Sequence, residues 1–305
     1  MGKAALLLAG AIVLAPLRSP SYVTVGFSPD GRQIVTTGVN LPVKIWELSS
    51  GKELRQLAPR TAWASRAMYL PDGNVLVAGD KDDKIRVFTP SGSAGDPLGE
   101  HRENIPWMTL SSNGKLLAYR DKDRVAILDL PASRPLRSFK APELVWACAF
   151  SPDAKKLAVL SGSVVQVWSL ESGQELLQIA TRESCYAMAF SPDGKTIACG
   201  ATEGILTFWD AEKGSWKYTL PHPGTILAVA YSPDGKKFAS SSADGTTRIW
   251  DPSSAKMLRQ VPGGRGTLAF SPDGKTLAAG GDSGYKIVWV WDADNGKEIL
   301  KLQLQ

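Results

Sequence analysis

The sequence has little of what most enzyme and metal sites are built from. Two histidines and three cysteines occur in 305 residues. Three cysteines are too few for a disulfide framework, and two histidines leave little for a metal site or a catalytic dyad. We find no glycine-rich phosphate loop, no His-Glu-x-x-His helix and no Gly-x-Ser-x-Gly elbow. The composition therefore argues against most enzymes, and we predict no catalytic residue, no metal site and no cofactor.

Charge of either sign is also weak. The 35 basic and 30 acidic residues give a net charge of +5, and no basic run occurs. Electrostatic binding of nucleic acid is therefore the weakest functional hypothesis, and we predict no nucleic-acid partner. Hydrophobic residues make up 43% of the chain and charged residues 21%, which is typical of a globular protein and excludes global disorder.

Turn residues, by contrast, are abundant and periodic. The 29 glycines and 20 prolines favour many turns over long helices. A pentapeptide of the Phe-Ser-Pro-Asp-Gly type recurs seven times, at intervals of 42, 41, 40, 40, 41 and 39 residues. We call its first residues the repeat marks: Phe27, Tyr69, Leu110, Phe150, Phe190, Tyr231 and Phe270. A second large apolar residue follows each mark after 18 to 21 positions, in the order Trp46, Phe88, Leu128, Trp168, Trp209, Trp250 and Trp291. Two features in fixed phase define seven units.

Each unit has the pattern of a small antiparallel sheet. Apolar residues alternate before the mark, as in a half-buried strand. Ser-Pro-Asp-Gly then supplies a hairpin turn, because proline fixes φ and glycine takes a left-handed conformation. A second and a third strand follow, and the third ends in the second large apolar residue. Another glycine turn then leads to the fourth strand. Four short strands cannot bury both faces alone, so the sequence predicts an all-β fold in which seven sheets stack radially into a ring.

This repeat resembles the WD40-repeat family of β-propellers, in a Ser-Pro-Asp-Gly-rich form of bacterial type, over residues 21–305. The resemblance implies a seven-bladed β-propeller of four-stranded antiparallel blades. In the family, a histidine, a serine or threonine, an aspartate and a tryptophan form a structural hydrogen-bond chain that ties the strands of a blade together. Unit 6 alone matches this set in full, with His222, Ser242, Asp244 and Trp250.

Residues 1–20 do not follow the repeat and form a separate hydrophobic segment. Residues 4–17 carry no charge, as in a signal peptide or a membrane anchor. These 14 residues are fewer than the roughly 20 that a spanning helix needs. A strand is the alternative, because Gly2–Gly10 resembles the second-strand sequence Gly274–Gly280; a disordered tail is the third. The protein is accordingly cytoplasmic or exported, and it meets a membrane only if this segment is an anchor.

Ring closure and the cysteines carry further expectations. The last unit has its own fourth strand, from Glu298 to Gln305. If no strand comes from the N-terminus, blades 7 and 1 must meet by side-chain packing alone.

Cys185 and Cys199 fall on adjacent strands but three residues out of register, so we predict no disulfide between them.

The family resemblance also indicates a binding surface. Its members usually bind partners on the face formed by the loops that enter the first strands and by the bends between second and third strands. Aromatic and arginine residues gather at the matching positions, as in binding hot spots. The predicted partner-binding residues are Trp63, Arg66, Lys81, Arg102, Trp107, Trp146, Arg182 and Tyr186. For Trp107 and Trp146 the alternative is that they close the channel mouth as core residues.

These features favour a non-catalytic scaffold, expected to be monomeric, that presents protein or peptide partners to the loop face of a rigid ring. The alternative is a propeller enzyme, such as a lactonase-like hydrolase or a quinoprotein-like dehydrogenase. The stretches Trp46–Lys52 and Trp291–Lys297 faintly resemble quinoprotein repeats. Such sites need converging carboxylates with a metal, or a histidine base, whereas His101 and His222 both occupy structural positions of the repeat.

Overall fold

The turn after each repeat mark is built from its own side chains. The computed structural model describes residues 13–14, 23–38, 41–57, 64–79, 84–100, 107–121, 123–140, 145–281 and 286–304. In the first turn, the Ser28 hydroxyl donates to Asp30 Oδ1 over 2.6 Å and accepts the N–H of Gln33 over 2.9 Å. Gly31 takes a φ of 71°, which glycine adopts without strain. The Ser–Asp hydrogen bond recurs after four other marks, so these carboxylates act in turns, as the sequence predicts.

The turns connect 28 strands into seven antiparallel sheets, each formed by four consecutive strands with the first innermost. Strand β1 (Val13–Leu14) precedes them. Blade 1 contains β2 (Thr24–Phe27), β3 (Gln33–Gly38), β4 (Leu41–Glu47) and β5 (Glu53–Leu57). Blade 2 contains β6 (Ala64–Tyr69), β7 (Val75–Gly79), β8 (Lys84–Phe88) and β9 (Gly99–Glu100). Blade 3 contains β10 (Met108–Leu110), β11 (Leu116–Asp121), β12 (Arg124–Asp129) and β13 (Arg134–Lys140). Blade 4 contains β14 (Val145–Phe150), β15 (Lys156–Ser161), β16 (Val164–Ser169) and β17 (Glu175–Ala180).

The remaining three blades repeat this order. Blade 5 contains β18 (Cys185–Phe190), β19 (Thr196–Ala201), β20 (Ile205–Asp210) and β21 (Trp216–Pro221). Blade 6 contains β22 (Ile226–Tyr231), β23 (Phe238–Ser242), β24 (Thr246–Asp251) and β25 (Lys256–Pro262). Blade 7 contains β26 (Leu268–Phe270), β27 (Thr276–Gly280), β28 (Ile287–Asp292) and β29 (Glu298–Gln303). The prediction of an all-β, seven-bladed propeller is confirmed.

The core lies between the blades rather than at one centre. Phe208 of blade 5 is fully buried, and its ring meets that of Phe238 in blade 6 at a centroid distance of 5.1 Å. One continuous cluster of buried residues spans blades 4, 5 and 6. The fourth strands, on the outside, are mostly exposed, with one buried residue in each described burial pattern, and they carry exposed side chains such as Trp216, which is 60% exposed. Each sheet is therefore stabilised mainly by apolar contact with its neighbours.

Blades 7 and 1 close the ring through hydrogen bonds as well as apolar packing. The N–H of Val23 donates to the carbonyl of Gly281 over 3.0 Å. The hydroxyl of Thr267 accepts the N–H of Val25 over 3.0 Å and donates to the carbonyl of Val23 over 3.3 Å. The expectation of closure by side-chain packing alone is therefore wrong, because the first strand of blade 1 lies close enough to blade 7 for direct backbone contact.

One glycine makes this approach possible. A Cβ atom on Gly280 would lie 2.0 Å from the Val23 carbonyl oxygen, a distance that no side chain tolerates. The Leu302 and Leu304 side chains are buried in the apolar cluster that spans the same junction. Glycine, threonine and leucine at these positions together specify the closure.

Strand β1 adds a fifth strand to blade 6. Val13 lies opposite Val229 and Leu14 opposite Ala228, in antiparallel register with the innermost strand β22. The other residues of the segment 1–20 lie outside the described residues, so its role as signal, anchor or strand, and the boundary at residue 20, stay predictions. Within the described ranges there is no apolar helix of the length that a membrane crossing requires.

Candidate functional site

The entry to the first strand is irregular in several blades. In blades 2, 4, 5 and 6 the register between first and second strands shifts by one residue near the loop face. Such a bulge leaves one residue unpaired and redirects its side chain. The unpaired residues all stand four positions before a repeat mark: Ser65, Trp146, Tyr186 and Leu227. Three of them are large and apolar and belong to consecutive blades.

Trp146 and Tyr186 contact each other across the boundary of blades 4 and 5. Their ring centroids are 4.9 Å apart at an interplanar angle of 62°, the edge-to-face arrangement that aromatic pairs prefer. Both side chains are half-buried, so part of each ring remains open to a ligand. We call Trp146, Tyr186 and Leu227 the apolar mouth. Leu227 was absent from the sequence prediction, although its position four residues before Tyr231 gives the same signal as the two aromatic residues.

Two other predicted binding residues are buried instead. Arg66 and Trp107 stand three positions before a mark, and they are 7% and 2% exposed. The Trp107 indole donates to the carbonyl of Val145 in the next blade over 3.1 Å. Burial lowers the pKa of the Arg66 guanidinium to about 10. Side chains alternate between the two faces of a strand. Arg66 and Trp107, three positions before a mark, are therefore buried, whereas Trp146 and Tyr186, four positions before a mark, are half-buried. Trp107 is packed against blade 4, and the alternative that it plugs the channel mouth stays a prediction.

The remaining predicted binding residues are placed less centrally or not at all. Arg182 is exposed, with a φ of 66°, in the loop that leads into β18. It lies four residues before Tyr186 in the sequence. The other three, Trp63, Lys81 and Arg102, lie outside the described residues, and their roles stay predictions.

The structural hydrogen-bond chain in blade 6 differs from the expected one at the serine. The Trp250 indole donates to Ser240 Oγ over 2.9 Å, so Ser240 takes the place predicted for Ser242. The register explains the correction: Trp250 lies opposite Phe238, and Ser240 is two residues further on the same face, within reach of the indole. Ser242 is four residues further, and its hydroxyl instead accepts the N–H of Asp244 over 3.2 Å.

His222 and Asp244 form a separate contact in the same blade. His222 Nδ1 lies 3.4 Å from Asp244 Oδ2, which is long for a hydrogen bond. Burial lowers the pKa of His222 to about 4, and the nearby charge of Arg248 acts in the same direction, while the Asp244 carboxylate opposes them. The imidazole is therefore neutral at physiological pH. The four types of residue predicted for the hydrogen-bond chain therefore form two separate contacts in blade 6. One joins Ser240 to Trp250, and the other joins His222, in the loop before β22, to Asp244.

In blades 1 and 6 the tryptophan contact uses the same position of the repeat. Ser240 stands nine residues after its mark, and so does Thr36 of blade 1, which accepts the indole N–H of Trp46 over 2.8 Å. Blade 7 has Ala279 there, and within the described part of the chain the buried indole nitrogen of Trp291 has no hydrogen-bond partner. A hydroxyl at this position therefore distinguishes tied from untied tryptophans in these three blades.

Groups with metal or redox chemistry are few in the described residues. No cluster of three or more His, Cys, Asp or Glu side chains there could hold a metal ion. The three cysteines are free and buried. Cys199 lies opposite Met188, and Cys185 opposite Ala201, so the two cysteines are not directly opposed; their thiols are nonetheless close enough to form a hydrogen bond.

Comparison with known proteins places the repeat in a family. The family model described as "WD domain, G-beta repeat" matches residues 133–169, 174–210, 214–251 and 266–292. The first three matches each contain the fourth strand of one blade and the first three strands of the next. The sequence repeat is therefore offset from the structural blade by one strand.

Three curated relatives each match less than half of this chain. WD repeat-containing protein 90 of Mus musculus is 28% identical over 114 residues, which is 35% of this chain and 6% of that protein. The serine-threonine kinase receptor-associated protein of Gallus gallus is 24% identical over 135 residues, 44% of this chain and 38% of that protein. The WD repeat-containing protein 26 homolog of Arabidopsis thaliana is 24% identical over 138 residues, 45% of this chain and 23% of that protein. The match spans less than half the length of each relative. Together with the seven repeat marks and the seven-bladed ring, the four repeat matches show that the chain belongs to the WD40-repeat family.

Proposed function

We propose that the protein is a non-catalytic scaffold that binds a protein or peptide partner on its loop face, at the apolar mouth of blades 4 to 6. One observation carries the proposal: Trp146 and Tyr186 are both half-buried and pack edge to face across two blades. Aromatic side chains fixed in this way offer a large contact area and lose little conformational freedom on binding, which is typical of interaction hot spots.

The surroundings of the mouth indicate the chemistry of the ligand. The rings present apolar surface, and Arg182 is exposed in the loop before Tyr186. An apolar side chain with an acidic residue nearby would satisfy both features, because the arginine adds charge complementarity at the rim. We therefore propose that the partner offers a short, partly acidic apolar segment rather than a nucleic acid.

Two observations favour a scaffold over a propeller enzyme. The described histidine, His222, is buried against Asp244 within blade 6 and is held neutral. Two of the relatives are named as WD-repeat proteins and one as a kinase receptor-associated protein, and the last name states association with a receptor. For this chain we extend that only to the class of ligand, and we expect a monomer, which sedimentation velocity would test.

Removal of the two rings tests the proposed site. We expect Trp146→Ala combined with Tyr186→Ala to abolish capture of partners from an extract of the source organism while the ring keeps its fold by circular dichroism, with a lower thermal transition because both rings pack against other side chains. The matched control is Trp216→Ala, because Trp216 is 60% exposed on the outer strand of blade 5. A protein enriched by the wild type and by Trp216→Ala, but lost with the double variant, is the expected result. The same proteins bound by all three forms would refute the proposal.

A further inference from the structure

Blade 6 has a feature that its neighbours lack within the described residues. Its innermost strand β22 pairs with β23 on one edge and with β1 on the other. In the other six blades the first strand pairs on one edge only in that part of the chain. An innermost strand with an open edge presents a row of unpaired N–H and C=O groups, and an added strand satisfies them.

The added strand lies next to the proposed binding surface. Strand β1 contacts β14 and β18 as well as β22, and these three strands carry Trp146, Tyr186 and Leu227. The three residues occupy equivalent bulges, but Leu227 is only 6% exposed, whereas the two rings are half-buried. Strand β1 therefore pairs beside Leu227, at the blade 6 end of the apolar mouth.

We propose that the inner edge of β22 is a strand-addition site, that the chain's own Val13–Leu14 occupies it, and that this occupancy blocks the blade 6 end of the apolar mouth. The blocking role rests on the function proposed above. A ladder of two residue pairs contributes few hydrogen bonds, each with a small net effect, so a partner segment can replace it. Covalent attachment gives β1 a high effective concentration, so the intact chain keeps the site filled until a competitor binds.

Cysteine cross-linking in the full chain tests the strand pairing. Directly opposed residues of antiparallel strands have Cα atoms about 4.5–5.5 Å apart, within the range that a disulfide spans. Val13→Cys with Val229→Cys should therefore form a disulfide under mild oxidation, detected as a cross-linked tryptic peptide by mass spectrometry. The pair Leu14→Cys with Ala228→Cys is the second variant, in case the first disturbs folding.

The matched control joins Val13→Cys to Val25→Cys. Val25 lies two residues before its repeat mark in the first strand of blade 1, as Val229 does in blade 6. The three native cysteines are buried in every variant. Selective cross-linking of the two blade 6 pairs is expected. Absence of both, or equal cross-linking of the control pair, would overturn the proposal.

Peptide binding tests the blocking role. The probe is a fluorescent synthetic peptide with the sequence of residues 9–18, Ala-Gly-Ala-Ile-Val-Leu-Ala-Pro-Leu-Arg. Oxidation of the Val13→Cys, Val229→Cys chain should weaken its binding at least tenfold, and the Val13→Cys, Val25→Cys chain should show no change. Equal binding before and after oxidation would overturn the blocking role. Because cross-linking involves no partner, it separates failure of this proposal from failure of the proposed function, which the Trp146→Ala, Tyr186→Ala variant reports.

Discussion

Blades 6 and 7 are neighbours with the same architecture, but they place their hydroxyl groups at different positions. Blade 6 has Ser240 nine residues after its mark, where it holds the Trp250 indole. Blade 7 has alanine at that position and instead has Thr267 three residues before its mark, where it holds the first strand of blade 1. Blade 6 in turn has Ala228 at the position of Thr267.

The difference shows that one repeat uses two kinds of polar tie. Ser240, nine residues after its mark, joins the second and third strands of blade 6, whereas Thr267, three residues before its mark, joins blades 7 and 1. Both hydroxyls are buried, and each has a hydrogen-bond partner, as most buried polar groups do. Blade 7 gives up the internal tie and contributes to closure of the ring. Four substitutions would separate these two roles.

The largest effect is expected from Gly280→Ala at the closing junction. The new Cβ would lie 2.0 Å from the Val23 carbonyl oxygen, so blades 7 and 1 must move apart. We expect a loss of about 3 kcal/mol or more in the free energy of unfolding, measured by urea denaturation. Gly200→Ala is the comparison, because Gly200 has the same position in blade 5, and its new Cβ would lie 2.3 Å from the Ile226 side chain rather than beside a backbone oxygen. An equal loss in the comparison variant would show that the closure is not specially constrained.

Thr267→Val removes the hydroxyl of the closure and retains its shape. The buried N–H of Val25 loses its acceptor, and we expect a loss of about 2 kcal/mol, measured in the same way. Thr109→Val is the control, because its buried hydroxyl has no hydrogen-bond partner within the described residues. Its stability should not fall, because a methyl group replaces a buried hydroxyl that makes no hydrogen bond there. If both variants behave alike, the Thr267 hydrogen bonds contribute nothing to closure.

Trp250→Phe removes the tie inside blade 6. Its comparison is Trp291→Phe in blade 7, where the indole nitrogen has no partner among the described residues. Both variants lose the same ring volume, so the difference in their thermal unfolding reports the hydrogen bond to Ser240. We expect Trp250→Phe to cost about 1 kcal/mol more. Equal destabilisation would contradict a tie in blade 6.

Ala279→Ser should give blade 7 the tie that it lacks. The new hydroxyl would stand nine residues after Phe270, as Ser240 does after Tyr231, and could accept the Trp291 indole N–H. We expect a gain of about 0.5–1 kcal/mol by urea denaturation. The same substitution in a Trp291→Phe background should give no gain. A gain that persists without the indole would show a different cause.

The sequence predicts the fold nearly in full, because the marks and turns recur in every unit. Each Ser-Pro-Asp-Gly turn depends on local contacts, such as that of Ser28 with Asp30, and local contacts are visible in a sequence. The number of strands in each blade follows from the turns. Closure depends instead on Thr267 and Val23, which are 244 residues apart, and no local pattern reports that contact.

The candidate site was predictable only in part, for a similar reason. Spacing places Trp107 and Trp146 near the same face, but it does not show which side of the strand each side chain occupies. A bulge unpairs Trp146, while Trp107 lies one position later relative to its mark and is buried against blade 4. The correction of the hydrogen-bond acceptor from Ser242 to Ser240 has the same origin. Both serines lie in the second strand of blade 6, and only the strand register shows which one is within reach of the Trp250 indole.

In all seven blades the four strands are consecutive in the sequence, and no four-stranded sheet is divided between the two ends of the chain. A duplicated or deleted segment of about 41 residues would therefore add or remove a whole blade. In the same way, a circularly permuted chain with new ends between any two blades would keep every blade intact. The ring thus has the topology of a string of modules whose order is fixed by the covalent chain, and among the described residues only blade 6 adds a strand, β1, from outside its own module.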